Sequence, residues 1–149
     1  MFGLIQSEWG GTRIESWSSP DSLNACGVED NVDKDSPFHS NSYLYNAMVY
    51  PFLRHTIYGA LWYQGESNCG WNTDLYACTF YGMIDDWRNK WAASGSNKDF
   101  PFGFVHLGIQ IDKPDGLRIR WQQTCLLYKH QAIYGWTTGC RLPNRPDSK

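Results

Sequence analysis

One apolar run that ends in a cluster of short polar side chains constrains this chain most strongly. The run is Ile57-Tyr58-Gly59-Ala60-Leu61-Trp62-Tyr63, and its length and its aromatic content are those of a buried strand. Gln64-Gly65-Glu66-Ser67-Asn68 follows it directly. Ligands of open α/β sheets bind just beyond the carboxyl ends of the strands. The stretch therefore predicts either a site at a strand end or a strand with an ordinary polar turn.

A second loop of similar character near the N-terminus favours the site. Trp9-Gly10-Gly11-Thr12 follows residues 2–6, which we predict to form a short buried strand. Thr12 and Glu15 have the spacing of a capping box, which predicts a short helix over residues 13–18. The opening residues lack the basic and long apolar regions of a signal peptide, so we expect none there.

The remaining elements alternate between helix and strand. After a long polar loop (18–42), helical spacing over 44–55 is bent or ended by Pro51, and the strand 57–63 follows. Next come a clear amphipathic helix (73–91) capped by Asn72 or Thr73, a strand (102–111), a turn (113–116) and a weaker helix (117–132). This order predicts an α/β fold with a parallel sheet, helices on both faces and both polar loops at one sheet edge.

Composition limits the classes of function. A chain of 149 residues suits one domain, and a net charge of −2 gives no footprint for nucleic acid. No apolar run of about 18 residues occurs, so we expect no membrane span. The 8 Trp, 9 Tyr and 7 Phe suit either a packed interior or a sugar-stacking cleft. The five cysteines form no CxxC pair, so they predict no zinc site. Their number and spacing also do not indicate a cellular compartment.

The two polar loops suit acyl-transfer chemistry. Adjacent Gly10 and Gly11 let backbone N–H groups approach a ligand, and the Gln64 amide adds a neutral donor, so together they predict an oxyanion hole. Glu66 and Asn68 would orient Gln64 or hold a substrate hydroxyl. The alternative for the glycine pair is a tight turn alone.

The chain offers no convincing nucleophile. Ser7 lacks the flanking glycines of a nucleophile elbow, and Ser67 has no His at a partnered position. The four histidines suit surface or packing roles better than a catalytic base; they are His39, His55, His106 and His130. We therefore predict no complete Ser-His-Asp triad, no metal and no cofactor.

Several segments resemble the sialate O-acetylesterases. Residues 3–17, which contain Trp9-Gly10-Gly11-Thr12, resemble one sequence block of that family, and Trp62-Tyr63-Gln64-Gly65-Glu66-Ser67-Asn68 resembles another. Residues 45–48, 72–76, 100–103 and 119–124 continue the match in the same order. The likeness spans residues 2–124, which predicts a partial domain over 1–124 and a divergent C-terminal tail over 125–149.

The resemblance implies a fold and an activity. The family has a three-layer α/β/α fold of the flavodoxin-like, SGNH-hydrolase type and removes acetyl groups from sialic acids by a serine mechanism. It implies an O-acetylated sialic acid or related carbohydrate as substrate, and a lysosomal or secreted location. A backbone N–H of the Gly10-Gly11 turn and the Gln64 side chain would be oxyanion donors, with Glu66 and Asn68 in support.

The chain also departs from the family pattern. The family nucleophile lies in a Gly-Gln-Ser-Asn-Met-like motif upstream of the matched blocks, and its Asp-x-x-His block lies downstream; neither occurs here. We therefore expect an incomplete enzyme without activity of its own, whether fragment, splice form or frameshifted product, or an unstable remnant. The alternative is a non-catalytic carbohydrate-binding or interaction module that stacks sugars on Trp9, Trp17, Trp62, Tyr63 and Trp71.

Overall fold

A parallel sheet lies at the centre of the computed structural model, which describes residues 3–107, 114–126 and 133–134. Strand β1 (Ala60–Trp62) pairs with β2 (Phe102–Phe104), and β2 pairs with β3 (Ile133–Tyr134). In this register Ala60 lies opposite Phe102, and Phe102 lies opposite Ile133. The parallel sheet and its helices form an incomplete α/β fold, which confirms the predicted class. Strand β3 was not predicted, and the domain boundary at residue 124 stays a prediction.

Four helices accompany the sheet within the residues that the structure describes. They are α1 (Ile14–Trp17), α2 (Pro20–Ala25), α3 (Tyr76–Ala92) and α4 (Pro114–Leu126). Shorter helical turns span Pro37–His39, Tyr45–Val49, Tyr50–Phe52 and Glu66–Asn68. Helix α3 is the longest and contacts α1, α2 and α4, so it organises the helical layer. No helix in the described ranges is long and apolar enough to cross a membrane.

Aromatic side chains of α3 and the sheet form the core. The Trp62 ring lies 5.8 Å from the Trp87 ring and 5.9 Å from the Trp17 ring, edge-on in both cases. Phe80 meets Phe104 at 5.4 Å in the same geometry, which is favourable for aromatic pairs. Packing is therefore the main use of the aromatic residues in the described core.

The face of α3 is predicted well except at one position. Phe80, Met83, Ile84, Trp87 and Trp91 are buried, as the helical period predicts. Arg88, which the sequence places on the polar face, is buried as well. Its Nη2 donates to the carbonyl oxygen of Phe100 at 2.9 Å, and this hydrogen bond allows the guanidinium to lie inside.

The opposite face of the sheet is open in the described part of the chain. Leu61 lies on it and is 91% exposed, and Tyr63 and Val105 are also exposed. Parallel sheets are normally covered on both faces. The described residues therefore form two of the three layers that the fold class implies.

The predicted strand over residues 2–6 is wrong for the described residues 3–6. They form no strand, and Leu4 is fully exposed. The contact that holds this segment is a 2.7 Å hydrogen bond from the Ser7 hydroxyl to the Met48 carbonyl oxygen. That bond places the segment beside the Tyr45–Val49 turn and not along β1.

Both predicted helix caps are wrong, because other partners compete for the capping side chains. Arg13 precedes α1 and gives no side-chain cap, and the Thr12 hydroxyl accepts from the Trp17 indole Nε1 at 2.9 Å instead of from a backbone N–H of the helix. Helix α3 begins at Tyr76 without a side-chain cap, because the Thr73 hydroxyl accepts from the Gly70 N–H at 3.2 Å and donates to the Asn68 carbonyl oxygen at 2.9 Å.

The long loop predicted over 18–42 contains helix α2. Ser19 caps that helix by accepting a hydrogen bond from the Ser22 N–H at 3.3 Å, and Pro20 occupies its first position. Both start signals are present in the sequence. A disulfide between Cys26 and Cys78 then joins α2 to α3.

Three further boundaries differ from prediction. Residues 44–55 contain two short helical turns, Tyr45–Val49 and Tyr50–Phe52, and not one helix; Pro51 lies in the second turn and has no N–H with which to continue a regular α-helix. Helix α4 begins at Pro114, so the predicted turn is wrong over 114–116. Strands β1 and β2 are shorter than predicted, and residues 108–113 and 127–132 lie outside the described residues.

Candidate functional site

The two polar loops meet at the carboxyl end of β1, as the sequence predicts. Gln64 follows the strand, and its Nε2 donates to the Thr12 carbonyl oxygen at 3.1 Å. Thr12 directly follows Gly11 in the chain. A single side chain therefore ties the glycine turn to the loop after β1.

The Gly10-Gly11 turn is open to solvent. Both glycines are exposed, and a Cβ built on either would meet no atom within 4 Å. Gly11 has a φ of +74°, a conformation that favours glycine. Within the described ranges no backbone acceptor engages the N–H of Gly10 or Gly11. These N–H groups are thus free of backbone partners, on a turn that offers no steric barrier.

Thr12 fixes the conformation of this turn. Its hydroxyl donates to the Trp9 carbonyl oxygen across the turn and accepts from the Trp17 indole Nε1 at 2.9 Å. Trp17 is itself packed in the core. The exposed turn is therefore held by the buried side chains of Thr12 and Trp17 and their hydrogen bonds.

Asn68 connects both loops to a buried carboxylate. Its Oδ1 accepts from Gln64 Nε2 at 2.7 Å and from the Ile14 N–H at 3.0 Å, and its Nδ2 donates to Glu15 Oε2 at 2.9 Å. Asn72 Nδ2 donates to the other carboxylate oxygen of Glu15, also at 2.9 Å. A backbone N–H can only donate and a carboxylate can only accept, so the orientation of the Asn68 amide is fixed by chemistry.

Tyr76 and Gln123 complete the network from below. The Tyr76 hydroxyl donates to Gln64 Oε1 at 3.1 Å, and Gln123 Nε2 donates to the Gln64 carbonyl oxygen at 2.9 Å. Gln123 Oε1 accepts from the Leu107 N–H at 3.2 Å. Burial raises the pKa of Tyr76 well above its usual value, so the phenol keeps its proton and remains a donor.

The hydrogen-bonding groups of the Gln64 side chain consequently all have partners within the protein. It is 7% exposed, its two amide hydrogens face Thr12 O and Asn68 Oδ1, and its oxygen accepts from Tyr76. An amide NH₂ has only two hydrogens to donate. Gln64 can therefore donate to a ligand only by releasing one of these acceptors, and its role as an oxyanion donor stays a prediction.

The two supporting residues differ in position. Glu66 is exposed, and no side-chain hydrogen bond links it to the network within the described residues. Asn68 is completely buried and orients Gln64. Of the two roles considered for Asn68, orientation of Gln64 fits this geometry, because its amide has no open side towards solvent.

The five aromatic residues considered for sugar stacking fall into two groups. Trp17 and Trp62 are core residues, so their use as stacking surfaces is wrong. Trp9 is 50% exposed and stacks on Phe38 with ring centroids 5.6 Å apart. The Arg13 guanidinium lies 3.7 Å from the ring centroid of Trp71, a cation–π contact that bridges the two polar loops. Tyr63 is exposed on the open sheet face.

The described residues show no serine paired with a histidine. The Ser7 hydroxyl is held by Met48, and His106 Nε2 lies 2.6 Å from the Thr124 hydroxyl and 3.1 Å from the Arg120 carbonyl oxygen. Burial lowers the pKa of His106, with a smaller contribution from the Arg120 charge. His130 lies outside the described ranges, within which no group of three or more His, Cys, Asp or Glu could hold a metal ion.

Sequence reasoning missed part of the network. The sequence assigns Thr12 and Glu15 to a helix cap, while Tyr76 and Gln123 lie in matched segments and have no predicted role of their own. The signal in the sequence is Glu15 itself, a carboxylate that stands between the apolar residues Ile14 and Trp17. A charge buried in such a segment requires polar partners.

Comparison with known proteins gives consistent results. A family model described as carbohydrate esterase, sialic acid-specific acetylesterase matches residues 1–134. Sialate O-acetylesterases of Homo sapiens and Pongo abelii are 43% and 44% identical over 95% of this chain. The Mus musculus sialate O-acetylesterase is 35% identical over the same share of the chain. A crystal structure of a carbohydrate acetylesterase from Xanthomonas citri superposes with a TM-score of 0.68 at 29% identity and covers 85% of the chain.

The chain is much shorter than the proteins it matches. It spans 28% of the human and Pongo abelii sequences and 32% of the mouse sequence. It likewise spans 28% of the chain in the Xanthomonas citri structure. The similarity therefore concerns one portion of each relative, and that portion includes both polar loops.

Proposed function

We propose that this chain, which belongs to the carbohydrate esterase family of sialic acid-specific acetylesterases, carries the oxyanion-stabilising part of an acetylesterase site. The substrate is an O-acetylated sialic acid or a related acetylated carbohydrate. One observation carries the proposal: the hydrogen bond from Gln64 Nε2 to the Thr12 carbonyl oxygen joins the exposed Gly10-Gly11 turn to the loop after β1.

The chemistry needs donors at one place. Attack on an acetyl ester converts the carbonyl oxygen into an oxyanion, and fixed N–H groups stabilise that charge without reorganisation. The Gly10 and Gly11 N–H groups are exposed on a turn without side chains, so an acetyl oxygen can approach them closely. One donor of this kind contributes about 10²–10³ in rate.

Gln64 supplies the second donor by exchanging one hydrogen bond. Its bond to Thr12 O is 3.1 Å long, whereas its bond to Asn68 Oδ1 is 2.7 Å. The longer bond is the one that an oxyanion would replace, because the shorter bond holds the amide in place. Catalytic hydrogen bonds often tighten only when substrate is bound.

The family resemblance implies that the serine nucleophile and its base lie in portions of the relatives that this chain does not match. No serine hydroxyl is hydrogen-bonded to an imidazole among residues 3–107 and 114–124. We therefore expect the chain alone to show no serine-dependent acetylesterase activity. Turnover of an aryl acetate that survives Ser7→Ala and Ser67→Ala but is abolished by a serine-directed phosphonate would contradict this.

A chimera tests the proposed site directly. Residues 2–124 replace the matching segment of human sialate O-acetylesterase, whose remaining sequence supplies the other catalytic groups. We expect a folded chimera that hydrolyses O-acetylated sialic acid. In it, Gln64→Leu should lower kcat by about 10²–10³ with little change in KM. A folded chimera whose kcat is unaffected by Gln64→Leu would contradict the assignment, and Gln6→Leu is the matched control on an exposed glutamine.

A second candidate function is carbohydrate binding without catalysis. The observation that favours it is the pair of partly exposed indoles at the loops, Trp9 on Phe38 and Trp71 beneath Arg13. Indole faces stack on sugar rings, and a guanidinium matches the carboxylate of a sialic acid. This function predicts saturable binding of sialosides that Trp9→Ala weakens and Tyr63→Ala leaves unchanged. Equal binding of sialosides by the unmodified chain, Trp9→Ala and Tyr63→Ala would contradict it.

A further inference from the structure

We infer that Glu15 is a positioning residue that sets the orientation of the Gln64 amide through Asn68. The inference rests on the proposed function, because it concerns how the proposed donor is held. Glu15 is 2% exposed, and its carboxylate has no ion-pair partner among the described residues. Its two oxygens instead accept from the amides of Asn68 and Asn72.

The carboxylate of Glu15 and the N–H of Ile14 together fix the direction of the donors in this chain of hydrogen bonds. A carboxylate can only accept, so Asn68 must present Nδ2 to Glu15 and Oδ1 to the other side. That oxygen faces the Ile14 N–H and Gln64 Nε2. Gln64 must therefore direct its NH₂ towards the glycine turn and its oxygen towards Tyr76.

The geometry separates this role from general packing. Glu15 lies on α1, directly after the glycine turn, while Asn68 and Asn72 lie in the loop that follows β1. The carboxylate thus joins the same two loops that Gln64 joins, at a more deeply buried position. A neutral amide at position 15 offers one oxygen and one NH₂ to two asparagine NH₂ groups, so one of these two contacts is lost. The Ile14 N–H then remains as the fixed donor that orients Asn68, and Gln64 is held less firmly.

The test measures the Gln64 side-chain amide by NMR in this chain labelled with ¹⁵N on glutamine and asparagine. In the unmodified chain we expect a dispersed Gln64 NH₂ pair that exchanges slowly with water. In Glu15→Gln that pair should move towards exposed-amide positions and exchange about tenfold faster or more, the loss of roughly one hydrogen bond. Glu8→Gln, on an exposed glutamate, should leave the pair unchanged.

A paired exchange distinguishes positioning from mere stability. In the double variant Glu15→Gln with Asn68→Asp, the new amide donates to the new carboxylate and still accepts from Asn72. The new carboxylate still accepts from Gln64 and Ile14. We expect this double variant to restore both the Gln64 signals and their slow exchange, even if Glu15→Gln alone fails to fold.

Two outcomes would overturn the inference. One is a folded Glu15→Gln variant with unchanged Gln64 signals and exchange. The other is a double variant that restores neither folding nor the Gln64 signals. Both readouts are independent of ester hydrolysis, so a chimera without activity would count against the proposed function and leave this positioning role standing.

Discussion

Gln64 Nε2 donates a hydrogen bond of 3.1 Å to the carbonyl oxygen of Thr12, a residue 52 positions earlier in the chain. This bond brings the glycine turn and the loop after β1 into one unit. The unit is closed on its buried side by Glu15, Tyr76 and Gln123, and open on the side of Gly10 and Gly11. A rigid base beneath an exposed turn is the arrangement that preorganised oxyanion stabilisation requires.

Replacing Gln64 should destabilise the fold as well as the site. Gln64→Leu removes three buried hydrogen bonds. Thr12 O loses its side-chain donor, whereas Asn68 Oδ1 keeps the Ile14 N–H and the Tyr76 hydroxyl keeps Gln123 Nε2. An unsatisfied buried group costs about 1–3 kcal/mol and each further lost hydrogen bond about 0.5–1.5 kcal/mol, so we expect a loss of about 2–4 kcal/mol. Urea unfolding measures it. Gln6→Leu, on an exposed side chain, should stay within about 0.5 kcal/mol, and equal effects of the two variants would contradict the role of Gln64.

Gly65 should tolerate no side chain. Its φ is +147°, and a Cβ there would lie 2.8 Å from Leu107 Cδ1 and 3.0 Å from Gln123 Nε2. Backbone strain of this kind costs about 1–3 kcal/mol, and the close contacts add to it. We therefore expect Gly65→Ala to lower the free energy of unfolding by about 2 kcal/mol or more.

Gly10→Ala is the matched control for that change, because a Cβ at Gly10 meets nothing within 4 Å. It should change the free energy of unfolding by less than about 0.5 kcal/mol. A Gly65→Ala variant with the same unfolding midpoint as Gly10→Ala would show that the loop after β1 adapts to a side chain.

The parts that the sequence predicts well depend on local patterns. The period of α3 identifies its buried face, because it reports which side of the helix meets the core. The apolar run before Gln64 identifies β1 as a strand but not its buried side, since Leu61 within the run is exposed. The resemblance of the two polar loops then locates the candidate site. These predictions use residues that are neighbours in the chain.

The parts that it predicts poorly depend on partners far along the chain. Thr12 has the spacing of a helix cap, yet its hydroxyl bonds to Trp9 and Trp17. Glu15 has the spacing of a capping box, yet the amides of Asn68 and Asn72 take its carboxylate. Local spacing could not predict these outcomes, because a buried donor or acceptor bonds to whichever partner the tertiary fold brings nearest.

The Cys26–Cys78 disulfide should contribute substantially to stability. It joins α2 to α3 across a separation of 52 residues, for which the chain-entropy account gives about 4 kcal/mol, and disulfides typically contribute about 2–4 kcal/mol. We expect a thiol reductant, or the double variant Cys26→Ala with Cys78→Ala, to lower the urea midpoint accordingly. The reductant should have no further effect on the double variant, and a reductant effect of the same size there would assign the stabilisation to other cysteines.

His106 should make stability depend on pH. Its Nε2 faces the Thr124 hydroxyl and the Arg120 carbonyl oxygen, and burial lowers its pKa below the ordinary value of about 6.5. The unfolded chain then binds the proton more readily than the folded chain does. The free energy of unfolding should therefore fall as the pH is lowered from about 7 through 6.5 towards the folded pKa, below which the loss is complete.

The pH effect is checked by comparing urea midpoints at several pH values between about 7.5 and 5 for three proteins, a window set around the ordinary histidine pKa. His106→Gln keeps an N–H donor near the Arg120 carbonyl oxygen but cannot titrate, so its midpoint should depend less on pH than that of the unmodified chain. His55→Gln, on an exposed histidine, should keep the original dependence. If His106→Gln and the unmodified chain show the same pH dependence, other groups cause it, and the burial of the His106 imidazole does not oppose its protonation.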